Sequence, residues 1–252
     1  MKTRVLATLM ALASSVGILV GTGGVASADP VATKDVTNGM ALSFDGEGIY
    51  NCTLGPVGFD SAGRKVGITA GHCNLDPNNN PMAPVGEEVP NGVYPVWDAN
   101  DYAFGPIGYT RFVSEDLPHN DYMVIEFVPN TSLKSQGPNL RVDSIYKNSS
   151  GNPSMPPSLF NSICKDGRTT GLTCGLITAH EGGLLATVAL QKPGDSGGAA
   201  VLSPKTGTKW VGIVTRTGYI PFANHIYTSS AVILNDLNPR GIAGSGFTPV
   251  NN

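Results

Sequence analysis

Between residues 41 and 229 the chain is broken into short runs of Val, Ile, Leu, Tyr and Thr, with Gly, Pro and Asn between them and little apolar periodicity of helical length. Runs of four to eight residues bounded by such punctuation read as β-strands joined by tight turns. The 32 glycines and 19 prolines sustain that reading along the whole chain, and only 14% of residues are charged. Six candidate strands fall at 48–54, 65–69, 93–97, 102–109, 121–127 and 141–145. Six more fall at 159–165, 173–179, 184–189, 198–202, 209–215 and 226–229, and a short C-terminal helix is expected at 230–237. No helix-length crossover separates these runs, which argues against a parallel α/β sheet. The segment 147–157, rich in Ser, Asn, Gly and Pro, reads as a connector between two halves, 29–146 and 147–252. Closing about six antiparallel strands in each half would remove exposed sheet edges. Residues 29–40 carry no periodic pattern and read as a loose N-terminal arm.

The first 28 residues set the expected address. Lys2 and Arg4 precede an apolar stretch from Val5 to Val20, which Ser14, Ser15 and Gly17 interrupt, and the segment ends in Ala26-Ser27-Ala28. That is the layout of a secretory signal peptide cut after Ala28 rather than of a spanning helix. Removing it leaves 224 residues with 14 basic and 19 acidic side chains. The mild, dispersed negative charge is unsuited to nucleic acid, and no second apolar segment is long enough to cross a bilayer. A secreted monomer is the expectation, with only 23 residues between Ala28 and Cys52.

The four cysteines fall as two local groups, Cys52 with Cys73 and Cys164 with Cys174, but four cysteines allow three connectivities and spacing alone does not choose. Disulfides suit an exported chain, and each local loop would add about 3 kcal/mol by restricting the unfolded state. Neither CxxC nor HxxxH spacing occurs, so no metal site or cofactor is expected.

Three motifs carry chemistry. Gly194-Asp195-Ser196-Gly197-Gly198 flanks a serine with glycines. A serine hydroxyl becomes a useful nucleophile only beside a base and beside donors for the developing oxyanion, and the N–H groups of Gly194 and Ser196 can supply the latter. Taken alone, the segment is equally an ordinary glycine-rich turn. Thr69-Ala70-Gly71-His72-Cys73 places a histidine after a β-rich run and beside a cysteine, a position suited to a general base. Asp121, at the mouth of the apolar run Tyr122-Met123-Val124-Ile125, is the best candidate to orient that imidazole; Asp101 and Asp116 sit in more polar, turn-like surroundings.

TAGHC, NDYMVIEF and PGDSGG, in that order, resemble the trypsin/chymotrypsin family of serine peptidases, most closely its bacterial streptogrisin-like branch. The resemblance implies two six-stranded antiparallel β-barrels packed together, with the site in the cleft between them. It implies disulfides Cys52–Cys73 and Cys164–Cys174, and a peptidase in which Ser196 attacks, His72 shuttles the proton and Asp121 orients His72. Asp195 is expected to fix its loop by pairing with a buried cation, Lys165 or Arg168. The resemblance places the P1 pocket between 190–193 and 214–218, with Leu190, Thr215, Thr217 and His225 as its lining. Leu190 stands where an Arg/Lys-cleaving enzyme would carry an aspartate. His225 either plugs the pocket in favour of small apolar P1 residues or, with Thr217, receives a P1 glutamate. His180 reads as a strand or surface residue, and Trp97, Trp210, Tyr94 and Tyr102 as core or wall aromatics.

Two rival functions are weighed against this reading. Gly-Asp-Ser-Gly-Gly also satisfies the G-x-S-x-G elbow of α/β-hydrolase esterases, but that fold needs the order Ser, acid, His, and here Asp236 follows His225. An inert binding or adhesion module on the same barrels would retain the fold with an occluded pocket.

Overall fold

The structure, a computed structural model, describes residues 32–48, 51–76, 78–116, 120–202, 208–220 and 223–252, and at 116, 217–220 and 223–224 the backbone alone. The segment expected to be a signal peptide lies outside the described residues. Among the described residues no helix is long and apolar enough to cross a membrane.

The first half holds β1 (Lys34–Thr37), β2 (Ala41–Ser43), β3 (Asn51–Thr53), β4 (Val57–Phe59), β5 (Lys65–Thr69), β6 (Pro95–Asp98), β7 (Gly108–Asp116), β8 (Asn120–Phe127) and β9 (Thr131–Lys134). Strands run in the order β4-β5-β8-β7-β6-β2-β3. Although β3 and β4 lie far apart in that order, only residues 54–56 separate them in the chain. The Gly55 N–H donates to the Ile68 carbonyl at 2.9 Å, and the Ile68 N–H to Pro56 at 3.1 Å. The bent run 51–59 therefore pairs with β2 at one end and β5 at the other, drawing the sheet round into a barrel of six chain runs.

Strand β10 (Ser144–Ile145) ends the first half; the second holds β11 (Ser162–Gly167), β12 (Gly171–Glu181), β13 (Leu184–Thr187), β14 (Ala199–Leu202), β15 (Lys209–Ile220) and β16 (Ala223–Ser229), followed by α1 (Ser230–Arg240) and β17 (Thr248–Pro249). The order β15-β14-β11-β12-β13-β16 closes through pairing of β16 with β15, an antiparallel barrel of six strands. The halves are interlaced: β10 pairs with β15 of the second barrel, and β17 returns to β4 of the first.

Strand β8 shows why the barrels pack. Tyr122, Met123, Val124 and Ile125 are all fully buried, because side chains alternate between faces and both faces are covered. Met123 and Ile125 fill the first barrel with Leu42, Leu54 and Val96. Tyr122 and Val124 face the other way, into a cluster with Ile68, Phe112, Trp210, Ile213, Ile233 and Leu237 that joins both barrels to the helix. Helix α1 is capped by the Ser229 hydroxyl, which accepts the Val232 N–H, and ends at Gly241 in the left-handed region.

Several expectations are corrected. The 102–109 run is not one strand: Tyr102–Phe104 form a 3-10 turn, Gly105 (φ +85°) and Pro106 break the chain, and pairing begins at Gly108. The N-terminal arm is not loose throughout, since β1 pairs in parallel with β9 and Val36 is fully buried. Strands at 41–43, 57–59 and 131–134 had no sequence signal because each is three or four residues long and takes its partner from elsewhere in the chain.

Candidate active site

The serine-bearing loop owes its shape to two glycines in the left-handed region, Gly194 (φ +95°) and Gly197 (φ +86°). A Cβ on Gly197 would lie 2.0 Å from the Thr69 hydroxyl oxygen. Around them the backbone is tied down. The Thr53 N–H donates to the Ser196 carbonyl (2.7 Å), the Gly197 N–H to Val214 (2.7 Å), the Gly198 N–H to Asp195 (3.0 Å) and the Asp195 N–H to Lys192 (3.0 Å). The Thr53 hydroxyl donates to the Gly194 carbonyl at 2.7 Å. Among the described residues, the N–H groups of Gly194 and Ser196 have no acceptor.

Asp195, fully buried, holds the loop from beneath. Its Oδ1 accepts the N–H groups of Thr169 (2.9 Å) and Thr170 (3.0 Å). Its Oδ2 accepts the Thr170 hydroxyl (2.6 Å), the Lys192 N–H (2.9 Å) and the Lys165 ammonium (3.0 Å). Burial opposes the ionised carboxyl, but these donors outweigh it and hold Asp195 below the ordinary carboxylate range. Of the two cations expected here, Lys165 is the partner; it is fully buried, its ammonium also meets the Thr170 hydroxyl and the Gly171 carbonyl, and burial lowers its pKa. Arg168 instead projects to the surface, its N–H bonded to Thr53 Oγ1 at 3.0 Å.

His72 lies in a 3-10 turn, Gly71–Asn74, directly after β5. A Cβ at Gly71 would lie 2.3 Å from the Ser114 carbonyl oxygen, so only glycine admits β7 this close to the turn. Asp121, at the start of β8, is buried and grips His72 twice. Its Oδ1 accepts the His72 backbone N–H (2.8 Å), and its Oδ2 faces Nδ1 (2.7 Å). The carboxylate accepts the Nδ1 proton, so Nε2 is the lone-pair nitrogen, and it stands 2.8 Å from Ser196 Oγ. Burial disfavours the imidazolium, yet the hydrogen bond and charge of Asp121, with Glu115 beside it, outweigh that and hold His72 above its ordinary pKa; Arg216 pulls the other way. Asp121, His72 and Ser196, which are 49 and 124 residues apart, thus stand in one continuous line. The disulfide Cys52–Cys73 (sequence separation 21) pins the next residue of the turn to β3, and Cys164–Cys174 (separation 10) joins β11 to β12.

The four predicted pocket residues are more scattered. Leu190 is half exposed, and its carbonyl accepts the Thr173 hydroxyl at 2.6 Å. Thr215 is buried with its hydroxyl committed to the Ile226 carbonyl at 3.0 Å. The Thr217 side chain lies outside the described residues. His225 sits on β16 opposite Thr187 of β13 and Thr217 of β15, on the face shared with buried Tyr227. Its Nδ1 is buried without a partner among the described residues, and burial, aided by the Lys165 charge, lowers its pKa. The sequence reading missed Gln191. Its amide nitrogen donates to the Arg216 carbonyl at 2.6 Å, tying together the two stretches predicted as pocket walls. His180 is exposed on β12, three positions beyond Ile177, the β12 residue that shares the Thr187–His225 row.

Three solved structures share this architecture. The Nocardiopsis protease superposes with a TM-score of 0.57 at 21% identity, covering 86% of this chain and 100% of its own. Thermobifida fusca protease A gives 0.55 at 19% identity, covering 85% and 99%. A glutamic-acid-specific serine protease described as using a histidine triad in substrate binding gives 0.55 at 20% identity, covering 82% and 99%. No protein-family model and no curated protein matches the chain. The chain has the chymotrypsin-like two-barrel fold of these proteases.

Proposed function

We propose that this chain is a secreted serine endopeptidase that hydrolyses peptide bonds through an acyl-enzyme, with Ser196 as nucleophile, His72 as general base and then acid, and Asp121 as the residue that orients His72. The observation that carries the proposal is the unbroken line from Asp121 through Nδ1 and Nε2 to Ser196 Oγ, with both contacts below 3 Å. Ser196 Oγ loses its proton to Nε2 as it bonds to the scissile carbonyl carbon, and the carbonyl oxygen becomes an oxyanion facing the N–H groups of Gly194 and Ser196. The imidazolium, stabilised by Asp121, then protonates the leaving amine as the C–N bond breaks. Water repeats the sequence on the acyl-enzyme, with His72 again taking a proton, and frees Ser196. Losing one oxyanion donor is worth about 10²–10³ in rate.

Small apolar P1 residues are the favoured substrates on the reading that His225 plugs the space between the walls, which the Gln191 amide ties together at the Arg216 carbonyl, and no acid stands at position 190 to receive Lys or Arg. The Nδ1 of His225, buried without a partner among the described residues, supports a second reading, a P1 glutamate hydrogen-bonded to that ring. Labelling with a fluorophosphonate, compared with Ser196→Ala, tests the chemistry: no Ser196-dependent labelling would point to a binding module on the same barrels. A P1 peptide library tests the pocket, and cleavage after Lys or Arg would sink both readings. Sequencing the N-terminus of exported protein tests removal of residues 1–28.

A further inference from the structure

A cleft of about 420 Å³ opens beside the proposed nucleophile, lined by Asn51, the Cys52–Cys73 disulfide, His72, Leu75, Arg168, Pro193, Gly194 and Ser196. Pro193, the last residue of the 190–193 wall, marks the border between this cleft and the P1 pocket, and Leu190, Thr215 and His225 do not line the cleft. Because the acyl half of a substrate lies toward those residues, this cleft lies on the side where the leaving half departs. Its walls pair an apolar floor, made by the disulfide, Leu75 and Pro193, with a single permanent charge, Arg168.

That charge is held in place by its backbone. The Arg168 N–H donates to Thr53 Oγ1, whose own hydrogen goes to the Gly194 carbonyl, while the Arg168 side-chain carbons pass 3.6 Å from where a Gly194 Cβ would stand. Among the described residues no carboxylate pairs with its guanidinium. Two acids border the groove of about 390 Å³ that continues past Arg168, and both are engaged elsewhere. Asp98 pairs with Lys34 at 2.7 Å, and Asp166 accepts the Asn139 N–H and amide at 3.0 and 2.9 Å.

Resting on the peptidase reading above, we propose that Arg168 is a specificity residue for the leaving side of the substrate, selecting a carboxylate within two residues after the scissile bond. A glutamate side chain suits the cleft best, since its methylenes can lie on the apolar floor while its carboxylate meets the guanidinium at the rim. A free C-terminal carboxylate offers the same chemistry at the same distance from the cut.

The test is hydrolysis of quenched peptides with a constant acyl half and Glu, Gln or Lys at the first or second position after the cut, each with an amidated extension. A parallel set ends at the second position as a free acid or an amide. The wild-type enzyme is expected to prefer Glu over Gln in kcat/KM by roughly three- to five-fold, as an exposed ion pair allows, with the preference shrinking in high salt. Arg168→Gln should bring the Glu/Gln ratio to one, Arg168→Glu should invert it toward Lys, and Arg168→Lys should retain part of it. A preference confined to the free-acid set would assign the carboxylate to the chain end instead. Turnover with equal Glu and Gln rates, or a ratio untouched by Arg168→Gln, overturns the proposal alone. Absence of Ser196-dependent turnover on every peptide overturns the peptidase reading beneath it.

Discussion

The loop carrying Ser196 and the region assigned to the P1 pocket lie a few residues apart and are built on opposite terms. Beneath Ser196 the loop is densely bonded: Asp195 alone accepts five hydrogen bonds in complete burial, and the backbone on either side is bonded to the segments at Thr53, Thr169 and Val214. In the second barrel beside it, Gln191 Oε1, His225 Nδ1, Tyr227 OH and Thr228 Oγ1 are buried with no partner among the described residues. A buried polar atom without a partner costs about 1–3 kcal/mol. Chemistry that must repeat identically at every turnover benefits from a site that cannot shift, while a pocket that discriminates among side chains benefits from polar atoms a ligand can complete. The contrast separates how this chain would cut from what it would accept.

Breaking the satisfied side should have the largest effects. Ser196→Ala is expected to reduce kcat by about 10⁶ and Asp121→Asn by about 10⁴, both without loss of the folded circular-dichroism spectrum. Lys165→Met would leave Asp195 as an unpaired buried charge, which costs about 3–5 kcal/mol and should be read as a lowered midpoint in urea unfolding. Because Asp195 titrates below the ordinary carboxylate range, its share of stability is present above that range and is lost as pH falls through the lowered value. An acid-unfolding midpoint unchanged by the Lys165 variant would count against this pair as the anchor of the loop.

On the unsatisfied side, His225→Ala should alter selectivity rather than chemistry, raising kcat/KM for larger P1 side chains by about tenfold, the worth of one or two methylenes' space. The second reading of His225 has a sign. Its pKa is lowered, so a glutamate preference through an imidazolium would strengthen only as pH falls below the ordinary histidine value. A P1 profile flat in pH would leave the plug reading standing. The smallest effect is at Glu115, which lies opposite Asp121 in the β7–β8 register and helps raise the His72 pKa. His72 accepts a proton only when neutral, so kcat/KM should fall as pH drops through a value above its ordinary one. Glu115→Gln should move that limb to lower pH by a fraction of a unit, as seen in a pH–rate profile.

Much of the proposed catalytic centre was legible in advance because its requirements are local. Gly194 and Gly197 adopt backbone angles that favour glycine, Gly71 sits where any side chain would strike Ser114, and His72 is placed by the turn that follows β5. The pocket was far less legible. Thr215 appeared available yet spends its hydroxyl on Ile226, and the Gln191 bridge depends on which carbonyl the opposite strand presents, a consequence of the bulge near residue 215. Likewise β1 could not be recognised, since its four residues take their strand partner from β9, nearly a hundred positions away.

By itself, then, the amino-acid order determined the all-β class and the residues whose chemistry could be combined, because turn geometry and side-chain type act over a few residues. Only the tertiary structure decided which cation lies under Asp195, which cysteines join, where the chain returns to bind one barrel to the other, and that Arg168 faces a cleft instead of a buried acid. Those outcomes rest on strand register and on which polar groups are closed off from water, and both are settled by segments far apart in the chain meeting in one place.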